Sequence, residues 1–329
     1  EETVINLTVK PGMKQGWFGN AYGGYGSKDR YEGNAMVNRF VNNDQITFMG
    51  GANNTNNMGF SDLASTMFSG MGGGGGRRGG FGAGSGITSS GNAGLNFSKE
   101  FKPDKLTLGG NTRYSHSDND ARSKSDRQNI LPGDSSSYDN SEAMSRTKSD
   151  NFGVDFRLEW KPDTMTQLIF RPSFSLSHSM NDNFSDATTL DNERDTVNTN
   201  KSSNYSESNG YNLNASIDFS RKLNNKGRVF SATLSGGNSD SYSDGMNRSD
   251  IVYFNQTDAL KNSIIDQRSR YDNKGFNYRA YVSWVEPIGH NNFIQATYSI
   301  SQRKQEALKN VYNQDADGIY NVLDLSLIH

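Results

Sequence analysis

The chain has 329 residues, with 34 Lys plus Arg against 36 Asp plus Glu and no cysteine. That balance excludes a polybasic nucleic-acid binder or an acidic tail, and the missing thiols exclude a disulfide framework, a thiolate metal site and a cysteine nucleophile. Hydrophobic residues make up only 32%, while 39 Asn, 41 Ser and 35 Gly supply about 35%, a balance that argues against an ordinary water-soluble core; yet 18 Phe, 15 Tyr and 3 Trp are too many for disordered chain.

The longest apolar run is Ile251-Val252-Tyr253-Phe254, four residues, against the 18 or more of a membrane-spanning helix. The chain opens Glu1-Glu2-Thr3 without the basic and apolar regions of a leader, as expected of an internal piece or of a chain whose leader has been removed. Alternation with a period of two recurs instead, which predicts strands with two unlike faces. Taken in order, short strands are expected at about 17–25 and 31–41, then strands carrying Ile46, Phe48 and Ala52; Ala93, Leu95 and Phe97; and Leu106, Leu108 and Tyr114. Asn151 to Trp160 is the clearest, with Phe152, Val154, Phe156, Leu158 and Trp160 on one face and Gly153, Asp155, Arg157 and Glu159 on the other. Leu168, Phe170, Phe174 and Leu176 follow, then Leu213 to Phe219, Phe230 to Leu234, Phe276 to Trp284 and Ile294 to Ile300, eleven strands in all.

The expected connectors alternate between short and long. Short ones lie at 42–44, 101–104, 161–163, 221–226 and 287–290, and long loops at 55–89, 117–148, 179–204 and 241–273. One tight hairpin and one long polar loop, repeated about every 60 residues, is the pattern of an antiparallel transmembrane β-barrel, with short periplasmic turns and long extracellular loops. Its strands place apolar residues toward lipid and polar ones toward the lumen, which reconciles the polar bulk with the aromatic content. Trp17, Trp160 and Trp284 all fall beside the short-turn rim, as does a group of phenylalanines that includes Phe97, Phe219 and Phe230; this predicts a membrane-interface girdle. Pro172 interrupts a strand and predicts a bulge or the upper limit of the apolar band.

Candidate chemistry is sparse. The polar faces carry Arg113, Asp155, Arg157, Glu159, Arg171 and Arg279, lumen-facing residues that either set selectivity or pair with one another. The glycine run 72–76 followed by Arg77-Arg78 lacks the Lys and Ser/Thr ending of a phosphate loop and reads as loop. Four histidines, His116, His178, His290 and His329, have no metal-ligand spacing. Asp118-Asn119-Asp120 and Asp182-Asn183 lack an EF-hand pattern and read as solvated loop. Met58, Met67 and Met71 read as loop filler. Neither a catalytic constellation nor a cofactor motif is present, and a non-enzymatic role is expected.

Several stretches resemble a known family. Thr3-Val4-Ile5-Asn6-Leu7-Thr8-Val9-Lys10-Pro11-Gly12-Met13-Lys14-Gln15-Gly16-Trp17-Phe18-Gly19-Asn20 is similar to the plug-to-barrel junction of TonB-dependent-receptor-like outer-membrane proteins of the Bacteroidota type. Arg30-Tyr31-Glu32-Gly33-Asn34-Ala35, Gly59-Phe60-Ser61-Asp62, Lys124-Ser125-Asp126-Arg127 and Phe156-Arg157-Leu158-Glu159-Trp160-Lys161-Pro162-Asp163 continue the likeness. These are framework motifs and specify no ligand. The resemblance implies a plugged 22-stranded barrel in the outer membrane. It would import a bulky nutrient, a metal chelate or a glycan, with the TonB complex and a surface lipoprotein as partners. On this reading residues 1–15 end a plug, 16–305 form strands 1–11, about half of such a barrel, and 306–329 begin a further extracellular loop. A passive porin or structural barrel shares every strand feature, and a secreted carbohydrate-binding β-protein is the more distant alternative.

Overall fold

The computed structural model describes residues 15–56, 86–131, 135–254, 262–289, 292–315 and 317–324. They form an all-β antiparallel meander: β1 (Gln15–Tyr25), β2 (Tyr31–Val41), β3 (Asp44–Asn53), β4 (Ile87–Lys102), β5 (Leu106–Leu131), β6 (Ser135–Trp160), β7 (Thr166–Leu190), β8 (Thr196–Lys222), β9 (Val229–Tyr253), β10 (Asn262–Pro287), β11 (Phe293–Gln314) and β12 (Tyr320–Leu323). Each strand pairs with the next in a single twelve-stranded sheet.

The tight turns fall where expected, and their chemistry explains them. Asn42 and Asn43 alone join β2 to β3, with Asn42 at φ 57°, a left-handed position that Asn tolerates. Between β6 and β7, Asp163 accepts the Met165 amide at 2.8 Å and the Thr166 hydroxyl at 3.1 Å. The Asn224 side chain similarly takes the Lys226 and Arg228 amides, each at 3.0 Å. Such short side chains close a turn by substituting for a backbone acceptor.

Three expected long loops are strand instead. β5 and β6 cover nearly all of 117–148, β7 and β8 reduce 179–204 to a turn at 191–195, and β9 and β10 fill much of 241–273. The expected loop at 306–329 holds the end of β11 and the short β12, so twelve strands replace eleven. Most of 55–89, and residues 1–14, lie outside the described residues. The extensions lack apolar alternation because both faces are polar. They hold together through the ladder that continues upward from the apolar half and through opposed charges across strands, such as Lys124 with Glu142 at 3.0 Å. Pro172 also differs from expectation. The β6–β7 ladder skips Phe156 and Arg157, yet the register is the same on both sides of the gap. The missing amide leaves a hole in the ladder without inserting a residue.

Cross-strand register keeps strand parity constant through the sheet. One face carries Trp17, Trp160 and Trp284 and is called the tryptophan face; the other is called the serine face. A row on the tryptophan face runs Trp160, Leu168, Phe219, Ala232, Val282, Tyr298 from β6 to β11. On β5 to β11, five consecutive tryptophan-face positions per strand carry no charge, from Leu106–Tyr114 on β5 to Ile294–Gln302 on β11. Above them sit His116, Asp150, His178, Asn209, Asp240, Lys274 and Lys304. Gly110 lets Phe97 and Phe156 approach across it, with ring centroids 6.4 Å apart; a β-carbon there would lie 2.7 Å from Phe156.

Burial is inverted relative to a water-soluble sheet. Large apolar side chains on the tryptophan face are open, with Leu234 55%, Phe48 53% and Phe276 50% exposed. The serine face holds the closely packed side chains, including Asn38 at 0% and Thr47 at 1%.

Candidate functional site

The six polar-face candidates all lie on the serine face, level with the uncharged band opposite. Arg113 on β5 donates to Asp155 on β6 at 3.0 Å and leans over Gly153, where a β-carbon would lie 3.2 Å from its Nε. Arg157 pairs with Glu159 at 3.1 Å, and Glu159 also takes Lys161 at 2.8 Å and Gln167 at 2.9 Å. Arg171 on β7 pairs with Asp218 on β8, which in turn accepts the Thr233 hydroxyl at 2.8 Å. Five of the six are thus held in cross-strand or local ion pairs. Arg279 is exposed and faces no carboxylate among the described residues.

Mutual pairing, one of the two expectations for these charges, therefore describes Arg113, Asp155, Arg157, Glu159 and Arg171. Asp218 was not among the expected residues, although its alternation within Leu213 to Phe219 places it on the polar parity. Beside the charges runs a row of neutral polar groups, Asn38, Thr47, Asn96 and Asn111, leading across β2 to β5 into Asp155. The Thr47 hydroxyl donates to the Asn38 carbonyl, while the Asn38 amide nitrogen is buried without a partner. On β9, Gly237 makes room for two carboxamides that lean over it, those of Asn214 and Asn277; a β-carbon would lie 2.3 Å from the first.

The three tryptophans sit at one end of the sheet on one face. Trp284 meets Phe230 edge-on at 6.3 Å and donates to Glu286 at 3.1 Å, and Phe230 lies 6.2 Å from Phe219. Trp17 lies under the Arg39 guanidinium at 5.4 Å. Trp160 is 47% exposed beside the Asp163 turn. Trp17 and Trp284 are each open to the outside and close to a polar group at the rim, the environment an indole prefers at a boundary between oil and water.

His116 and His178 lie on the tryptophan face just above the uncharged band. The first has Nδ1 at 2.8 Å from Asp150, the second at 2.8 Å from Asn209. No group of three metal-ligating side chains forms among the described residues. Asp118 and Asp120 project from the tryptophan face while Asn119 projects from the other, so the acidic tripeptide does not converge on one point. Asp118 instead takes a two-pronged bond from Arg146, at 3.0 and 2.7 Å. His290, His329, Met58, Met67, Met71 and the glycine run lie outside the described residues.

No family model matches this chain, and no curated protein matches it.

Proposed function

We propose that this sheet is wall of a transmembrane β-barrel in the outer membrane, and that the protein is a TonB-dependent-receptor-like importer of a bulky nutrient. The observation that carries the barrel reading is the uncharged band: five positions on each of seven adjacent strands, backed on the same strands by Arg113, Asp155, Arg157, Glu159, Arg171, Asp218 and Arg279. Five alternate positions span nine residues, matching the roughly 9–11 residues with which a tilted strand crosses a bilayer. In water, the open leucines, phenylalanines and tryptophans would each forgo about 1.5–3 kcal/mol of burial; against lipid they regain it.

Strand stagger supports the same reading. Arg39 on β2 and Tyr278 on β10 share one row, yet β2 ends two residues below it and β10 nine residues below it. A turn rim held level across those eight strand spacings requires a tilt of about 30°, close to the roughly 35–45° of closed barrels. The importer assignment adds the resemblance of Thr3–Asn20 and Phe156–Asp163 to the receptor framework, and with it the TonB complex and a surface lipoprotein as partners.

Quenching by brominated lipids tests the barrel. Bromines placed near the headgroup should quench the fluorescence of Trp17, Trp160 and Trp284 more strongly than bromines at the chain ends. A protein that stays soluble and unquenched without detergent refutes it. Energy dependence tests the importer: uptake that continues after collapse of the inner-membrane proton gradient would make the protein a passive pore.

A further inference from the structure

We propose that the serine face above the uncharged band is a binding wall for a neutral oligosaccharide. The inference rests on the barrel and importer reading and names its cargo. Its basis is a contrast between two faces of the same strands at the same height. Above the band on β7 to β10, the tryptophan face carries thirteen charged side chains, among them Asp182, Lys201, Asp244 and Arg270, and the serine face carries none. Neighbouring residues supply the two faces, so regional composition does not explain the difference.

The neutral face is ordered. A single row runs Ser90, Ser117, Ser149, Ser179, Ser208 and Ser243 across β4 to β9 to Tyr271 of β10, with Lys309 of β11 next beyond it. The rows above and below are again Ser, Asn, Thr and Gly, with bonds such as Ser208 to Ser243 at 2.8 Å and Thr147 to Asn181 at 3.0 Å. Hydroxyl and carboxamide groups both donate and accept, as the hydroxyls of a sugar do. Their short side chains lose little rotamer entropy on contact. Tyr271 adds a flat ring on the same face of β10, suited to the apolar face of a sugar ring.

Charge and size argue against a small anionic chelate. Arg279, the one serine-face arginine of the band without an ion pair among the described residues, lies at the level of the band, below this wall. Along β8 the neutral positions above the band run from Asn198 to Gly210, roughly 40 Å, and the three strand spacings from β7 to β10 give roughly 14 Å of width. A surface that long fits a chain of repeating units.

The test uses the full-length protein in detergent, on an array of neutral oligosaccharides and counterparts containing uronic or sialic acid. Titrations of the bound sugars and of ferric citrate follow. Neutral chains should bind at least tenfold tighter than acidic counterparts or ferric citrate. Ser179→Asp and Ser208→Asp should each weaken that binding at least tenfold, whereas Met180→Asp and Ser203→Asp, on the opposite face, should change it less than twofold. A Ser179→Ala/Ser208→Ala double variant, which adds no charge, should weaken it at least threefold. Equal binding of acidic sugars or ferric citrate, no binding of any neutral chain, or equal sensitivity of the two faces would overturn the proposal. Lipid quenching is measured on the same samples, so loss of the barrel reading is seen separately from loss of the cargo.

Discussion

The lower and upper halves of β5 to β10 use the same alternation to separate different things. In the lower half, apolar side chains alternate with polar ones, and the apolar face is the open one. In the upper half, charged side chains alternate with neutral hydroxyls and carboxamides, and neither face is oily. The register passes without a shift from one half to the other in β5–β6 and β8–β9. A strand can therefore carry two successive contrasts, oil against water and then charge against no charge, and each half must be judged by its own contrast.

The largest expected break comes from placing one charge in each half of β9, on the same face. Leu234→Arg lies mid-band and should cost about 2–4 kcal/mol of stability in refolding from urea into bilayers. Met246→Arg, twelve residues away in the extension, should leave the unfolding midpoint unchanged. Equal effects would mean that the two halves face the same solvent.

Removing one partner of an ion pair should sharpen the contrast at a smaller scale. Arg171 is 26% and Asp218 33% exposed. Asp218→Ala leaves that arginine and the Thr233 hydroxyl without their acceptor, at a cost of about 1–3 kcal/mol. Glu142→Ala, which removes the exposed partner of Lys124, should have no measurable effect on the same refolding curve, because solvent screens that pair.

The smallest effect belongs to the turns that bound the strands. Backbone amides hold the Asp163 and Asp315 carboxyls below the usual carboxylate range, the Met165 amide in the first case and the Ile319 amide in the second. A carboxyl whose folded pKa is lowered contributes its stability above the unfolded pKa of about 3.9 and loses it as pH falls through the folded value. Protection against amide exchange in both turns, taken relative to the intrinsic rate at each pH, should therefore fall below about pH 4, while protection in the band between them stays constant. Asp163→Asn and Asp315→Asn should abolish the pH dependence, since a carboxamide oxygen still accepts but does not titrate.

What was legible in the sequence follows the same division. Phe152 to Trp160 announced its faces through hydrophobicity, and the tight turns at 42–44 and 161–163 through Asn, Pro and Asp. Asp118 to Lys124 offered no such cue, because a hydrophobic scale sees only polar residues there and returns a loop. A charge-parity count would have found it: Asp118, Asp120, Arg122, Lys124 and Asp126 alternate with Asn119, Ala121, Ser123 and Ser125. The ion pairs of Arg113 and Arg171 were half legible, since parity gave the face, but only cross-strand register shows that Asp155 and Asp218 lie within reach. In the sequence Pro172 reads as a bulge or as the upper limit of the apolar band, because a proline in a strand usually demands accommodation; here the neighbouring strand gives up a bond and keeps its place.

The unequal strand lengths give the described sheet a stepped upper edge. The β2 row at Tyr31 is level with Asp118 of β5, and β5 continues thirteen residues further, roughly 43 Å at the usual strand rise. The described sheet therefore has a low sill formed by β1 to β3 and a tall backboard formed by β5 to β10, and its upper edge is oblique. On the importer reading proposed above, a long cargo arriving from the sill side would meet the backboard broadside, along the strands, before any part of it tips downward.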